Sequence, residues 1–344
     1  MAIATSYNVL STKGARENLE NVMKTVSPHE TPIYSTISQS AAPKATLNEW
    51  LVDSLADPAG SSAATNADGV DITLSNAANL IDSRARLGNR VATLRDIFAV
   101  SRQAEMVDVA PGGRGSLFAS SKAKSLIQLK NSLEVAIASN NDQAAGDASN
   151  GATMCGLGIW SDPTATGNTF DTSLKQGFRA VSGSRVSLAS LTESAFRGLL
   201  QAVYTAAGSK GSFKLFAGPN CVNRITDYTR STTANSDFNF NQDVKDGILK
   251  LSVVQYVSDY GVVDIIPTLW NGRRDAGASG TSTALGTVNT DRGYLLPSDD
   301  TVSLKFLEGM TIQDLPDNGA GQRAFSECMA TIRVSNPRAL GSIV

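Results

Sequence analysis

Two strand-like runs, Thr46–Leu55 and Val91–Val100, bracket a tract that cannot bury itself, and this limits the available folds more than any other feature. Trp50, Val52, Val91, Ile97 and Phe98 give the runs apolar side chains, whereas Ala56–Arg90 carries Gly, Ala, Asn and Asp throughout. The pattern predicts a long hairpin arm. A lone hairpin is marginally stable in water, so this one has to lie across a partner surface. Charge separates its limbs. From Trp50 to Ser83 the acids Asp53, Asp57, Asp68, Asp71 and Asp82 stand without a lysine or arginine; from Arg84 onward Arg84, Arg86, Arg90, Arg95 and Arg102 face only Asp96. Either the limbs neutralise each other as ordinary solvated surface, or the basic limb also meets a charged neighbour. In the second case complementarity sets register and orientation more than affinity.

The first residues, 1–45, also read as an arm. A short helix is expected over Gly14–Val26, with Leu19, Val22, Met23 and Val26 on one side. It closes at Ser27-Pro28, because the residue before a proline is pushed out of the helical region. Ser27–Pro32 is then extended, its path fixed by two prolines. Pro111-Gly112-Gly113 forms a turn, and a helix follows over Ser116–Ser139. Its apolar face is read as Ala119, Ala123, Leu126, Leu129, Leu133, Ala136 and Ile137, with Lys122, Lys124, Lys130 and Glu134 on the remainder. At the usual rise per residue it spans on the order of 36 Å.

Asn140–Asn150 reads as a loop, and the second half alternates helices with strands. Leu191–Ala206 is a helix opened by Thr192, with Phe196, Leu199, Leu200 and Val203 facing the core. Phe213–Ala217 is a short strand that leads through Gly218-Pro219-Asn220 into a second helix. Strands are expected at Ile248–Tyr256, Val262–Ile266, Val302–Phe306 and Cys328–Val334, with a loop through Gly277–Gly280.

A chain of 344 residues with 41% hydrophobic residues can bury a sizeable core, usually divided between two domains. Net charge of -2 argues against a surface that grips nucleic acid everywhere, but leaves room for local basic patches. No signal peptide is read at the N-terminus, and no apolar run reaches the ~20 residues of a bilayer span, so a product made in the cytoplasm is expected. Cys155, Cys221 and Cys328 have no metal-site spacing and read as buried small hydrophobes.

His29 is the only histidine, which removes the usual catalytic triads and multi-histidine metal sets. Gly112–Gly115 lacks the Lys-Ser/Thr that completes a phosphate loop. Asp299-Asp300 reads as a turn and Arg273-Arg274 as solvated surface. Neither a cofactor nor a metal is expected. A carboxylate-based hydrolase stays formally open, since two paired acids can come from anywhere in a chain.

Ser27-Pro28-His29-Glu30-Thr31-Pro32-Ile33-Tyr34, preceded by Asn18-Leu19 and Asn21-Val22 and followed by Trp50 and Asp53, resembles the N-terminal signature of the SU10-like major head proteins of tailed double-stranded DNA phages. The likeness resumes at Phe216–Pro219, Val257–Gly261, Ile265–Trp270, Gly293–Pro297, Gly321–Arg323 and Met329–Val334. It implies an α+β, HK97-like capsid fold: an N-terminal arm (1–45), an extended hairpin loop (46–102), a peripheral domain with a spine helix (103–156), an axial domain (157–268) and a return to the peripheral domain (269–344).

It further implies a major capsid protein, not an enzyme, that assembles in the host cytoplasm through pentamers and hexamers into an icosahedral virion shell. Portal, scaffold or decoration proteins would be its partners, with non-specific contact to packaged DNA and none to membrane. Another phage component, a decoration or tail protein, is the alternative. Pro28, Glu30, Pro32, Trp50, Asp53, Arg84, Arg86, Arg90 and Arg95 are the resulting candidates for inter-subunit contact. No cross-linking residue set can be matched.

Overall fold

Alternation of period two decides which runs become strands, and Ala92–Ser101 shows it most plainly: every second side chain turns inward along the run. The computed structural model describes residues 29–54, 68–69, 84–110, 112–208, 211–227, 254–271, 292–316, 319 and 321–344. The expected helix at 14–26, the hairpin tip, Arg273-Arg274 and the Gly277–Gly280 loop lie outside these residues, as does most of the strand expected from Ile248.

The described strands are β1 (Ser38–Ser40), β2 (Leu47–Val52), β3 (Ala85–Arg90), β4 (Ala92–Ser101), β5 (Arg185–Val186), β6 (Gly211–Ala217), β7 (Gln255–Ser258), β8 (Gly261–Pro267), β9 (Gly293–Pro297), β10 (Val302–Leu315), β11 (Gly321–Val334) and β12 (Gly341–Ile343). The α-helices are α1 (Pro32–Thr36), α2 (Arg102–Met106), α3 (Ser116–Ala138), α4 (Leu157–Trp160), α5 (Ser173–Gln176), α6 (Glu193–Ala207) and α7 (Pro219–Asp227).

Three sheets result. One has four strands in the order β1-β10-β11-β4, one has six in the order β5-β12-β9-β6-β8-β7, and β2 pairs with β3 alone. The span 269–344 contributes to both larger sheets, since β9 and β12 join the six-stranded one while β10 and β11 build the four-stranded one.

The hairpin differs from the sequence reading. The partner of the Trp50 strand is Ala85–Arg90, with Trp50 opposite Leu87, and not Val91–Val100. Ala92–Ser101 instead pairs antiparallel with β11 in the four-stranded sheet. The reason is visible in Ala85-Arg86-Leu87, where Ala85 and Leu87 are buried and Arg86 points to solvent. A break follows at Val91, whose N–H donates to the Thr46 carbonyl at 2.8 Å and closes the ribbon. Both long strands also exceed their expected length, because two register shifts near Phe306 and Glu308 interrupt the alternation that marks a strand in sequence. Gly321 opens β11 at a φ of 147°, where a Cβ would meet the Val100 carbonyl; only glycine fits that crossing.

Helix α3 runs 23 residues and lies against the four-stranded sheet. Leu129, Leu133 and Ile137 are buried as expected, but Ala119 and Ala123 are exposed and Glu134 is fully buried. Helix α6 matches its reading closely. The Thr192 hydroxyl accepts the Ala195 N–H at 3.2 Å, and Phe196, Leu199, Leu200 and Val203 fill the core beside β6 and β8. No helix among the described residues is long and apolar enough to cross a membrane.

Candidate functional site

The ribbon β2–β3 is held at its root by one aromatic stack and one amide. Trp50, 8% exposed, packs its ring 5.7 Å from that of Trp160, which meets Phe170 edge-on at 5.5 Å. Opposite this stack Asn89 is fully buried on β3. Its Nδ2 donates to the carbonyls of Cys155 (3.1 Å) and Ile332 (2.9 Å), and its Oδ1 accepts the Cys155 N–H at 2.8 Å. One side chain thereby ties the ribbon to β11 and to the segment before α4.

Beyond the root the ribbon turns polar. Arg84 Nε meets Asp53 at 2.9 Å and Arg86 meets Glu49 at 3.6 Å, all four side chains well exposed. Among the described residues two arginines of the basic limb are thus paired within the chain, and exposed pairs of this kind contribute little to stability. Leu51 stands between them, 69% exposed.

The N-terminal segment is docked on α3. Glu134, buried on α3, accepts the Ile33 N–H at 2.8 Å and the Tyr34 N–H at 2.6 Å. Both donors belong to the first turn of α1, where a helix has no internal acceptor to offer. Burial lifts the Glu134 carboxyl from 4.5 to about 7, while the two N–H groups and the Lys130 charge oppose the rise. Ile33 is fully buried, Tyr34 meets Phe306 edge-on at 6.4 Å, and β1 adds in parallel to β10. Further up the segment, the Trp270 indole N–H donates to the Glu30 carbonyl at 2.6 Å.

These contacts sort the sequence-predicted residues. Trp50 is a correction: its ring lies in the subunit's own core and cannot face a neighbour, because the Trp160 stack occupies it. Pro32 opens α1 and Glu30 is exposed except for its gripped carbonyl. Asp53, Arg84 and Arg86 cluster on the ribbon, with Arg90 half-buried at its end. Arg95 lies apart on β4, paired with Glu327 at 2.6 Å and over the Phe325 ring at 5.0 Å. Pro28 lies outside the described residues.

Asn89, Glu134 and Trp270 were missed. Asn89 hid among alternating arginines, and Glu134 was placed on the solvent side of α3. For Asn89 the alternation Arg86-Leu87-Gly88-Asn89 was the available signal.

Catalytic geometry does not emerge among the described residues. Cys155, Cys221 and Cys328 are all buried, and burial pushes the Cys328 thiol up to about 11. No group of three His, Cys, Asp or Glu side chains converges there. What the molecule offers is two clamped extensions, the segment before β1 and the ribbon, on a two-sheet body.

A family model, that of the SU10 major capsid protein, matches residues 3–344. The chain belongs to the SU10 major capsid protein family. It is a capsid-forming structural protein with the HK97-like fold. A cyanophage A-1(L) capsid subunit is similar at a TM-score of 0.65 and 12% identity, covering 98% of this chain and 99% of that one. The capsid of a native GTA particle gives 0.59 at 11% identity over 97% and 96%. The holo-SrpI encapsulin complex of Synechococcus elongatus gives 0.51 at 10% identity over 99% and 95%. At such identities the structures speak for the fold, and the family match speaks for the role. A search of curated protein sequences gives no match.

Proposed function

We propose that copies of this SU10-family chain join through pentamers and hexamers into an icosahedral head around a double-stranded DNA genome, without catalysis. Assembly takes place in the host cytoplasm, with a portal and scaffold or decoration proteins as partners. The observation that carries the reading is the ribbon. Its inner side is held by Trp50 and Asn89, while its outer side leaves Leu51, Arg84, Arg86 and Asp53 well exposed among the described residues. A two-stranded ribbon this exposed is suited to lie over a neighbouring copy. Pro28, Glu30, Pro32, Asp53, Arg84, Arg86, Arg90 and Arg95 are the contact candidates that remain.

In domain terms, α3 would be the spine of a peripheral domain built on the four-stranded sheet, and the six-stranded sheet would be the axial domain. This keeps the arm at 1–45 and ends the extended loop at Arg90, because β4 belongs to the peripheral sheet. Negative-stain microscopy of the purified product, with light scattering, tests the proposal. Uniform shells, pentamers or hexamers support it; a stable monomer under assembly-permissive conditions overturns it.

A sharper expectation concerns the ribbon alone. Replacing Arg84, Arg86 and Arg90 together by alanine should change subunit stability by no more than about 1 kcal/mol, since exposed pairs are worth little. Shells should nevertheless come out misshapen. Normal particles with unchanged salt sensitivity would sink the role given to these arginines.

A further inference from the structure

One end of the four-stranded sheet gathers hydroxyl groups and positive charge on one face. Register places Ser40 beside Lys305, Lys305 beside Thr331, and Ser303 beside Arg333. Directly paired residues share a face of a sheet, so these five side chains stand together across three strands. The residues between them, Leu304 and Ile332, are fully buried on the opposite face in the core.

The cluster is uncompensated. Neither Lys305 nor Arg333 takes part in an ion pair among the described residues, although seven other cations there do. Among the described residues the Arg333 Nε and the Thr331 Oγ1 are buried atoms without a hydrogen-bond partner, and Thr331 is fully buried. Ser40 and Ser303 share one hydrogen bond of 3.2 Å and retain acceptor and donor capacity beyond it. Burial, and after it the Arg333 charge, holds the Lys305 ammonium below the usual lysine range. Two cations kept together with an orphaned hydroxyl between strands lower their free energy when an anion joins them.

The face also selects the kind of anion. A contact between protein copies has an apolar centre, and this cluster of two cations and three hydroxyls has none. Phosphate oxygens are met by arginine, lysine and hydroxyl groups in this combination. We propose that Ser40, Ser303, Lys305, Thr331 and Arg333 form a seat for the phosphodiester oxygens of the enclosed nucleic acid. The inference rests on the reading that the shell surrounds DNA. Lys305 and Arg333 supply charge and the exposed Ser40 a reachable hydroxyl, with the buried Ser303 and Thr331 hydroxyls as the polar floor beneath them; no base is read.

The test is salt-dependent binding of a labelled mixed-sequence duplex to unassembled full-length subunits, followed by fluorescence anisotropy. Each neutralised phosphate contributes a slope of about 0.9 to the plot of log affinity against log salt, so Lys305→Gln with Arg333→Gln should flatten it by about 1.8. A control of equal charge change, Lys175→Gln with Arg197→Gln, should leave the slope where it was. Thermal unfolding of each variant checks that the subunit stays folded. Equal slopes in the folded double variant and wild type overturn the proposal, as does wild type that ignores the duplex but binds polyglutamate. Microscopy of the same preparations separates the two claims: shells with an unchanged slope remove the phosphate seat alone, and absence of wild-type shells removes the assembly reading.

Discussion

Asn89→Ala is expected to cost about 3–5 kcal/mol of subunit stability and to free the root of the ribbon. The change leaves the Cys155 N–H and the carbonyls of Cys155 and Ile332 without the amide that now serves all three. Each orphaned buried group costs about 1–3 kcal/mol unless water reaches it, and Asn89 is fully buried, so entry of water requires the ribbon to lift. Denaturant unfolding of the unassembled subunit gives the energy. Limited proteolysis between Val52 and Ala85 reports the ribbon, and cleavage should speed up more in the variant than its lost global stability explains. A loss below about 1 kcal/mol would mean that the Trp50–Trp160 stack holds the root by itself.

A second large effect is set by pH. The Glu134 carboxyl sits at about 7 in the folded subunit against 4.5 as its ordinary value, burial being the chief cause. A carboxyl raised on folding contributes stability that is complete below the lower value and is lost as pH rises through the upper one. Between pH 5 and pH 8 this single group should therefore lower stability by about 2–3 kcal/mol.

Glu134→Gln removes the titration but keeps one acceptor for the two N–H groups of α1. The variant should be less stable than wild type at pH 5, by about 1 kcal/mol for the hydrogen bond lost, and equal or better at pH 8. Denaturation curves at the two pH values check the crossing. Parallel pH profiles for the two proteins would show that the group titrates elsewhere.

Sequence and structure agree where a signal is local. Thr192, the spacing of Phe196, Leu199, Leu200 and Val203, and Gly208 closing the helix in the left-handed region define α6 from within its own residues. The long helix was legible for the same reason. Disagreement arises where a distant partner decides. Arg84, Arg86 and Arg90 make β3 look like a loop until β2 supplies Asp53 and Glu49 on one side and Trp50 on the other. Glu134 looks like a solvent-facing acid until Ile33 and Tyr34 arrive from a separation of 101 and 100 residues. The Trp270 grip on Glu30 spans 240 residues and has no local sign at all. The basic, hydroxyl-lined face was invisible because it needs the register of three strands.

The parallel pairing of β1 with β10 carries a consequence for how the subunit is made. Ser40 and Ser303 are 263 residues apart, so at the 5–20 residues per second of translation the first waits roughly 15–50 s for the second to be polymerised. During that interval the segment around Ile33 and Ile37 has neither β10 to pair with nor Trp270 to grip it. Strand pairings over such distances are also slow to close once both partners exist. A nascent chain on a crowded polysome thus shows its adhesive end to other copies before its own body is available, and the cell has to keep unfinished subunits apart until the ribosome has passed the final strands.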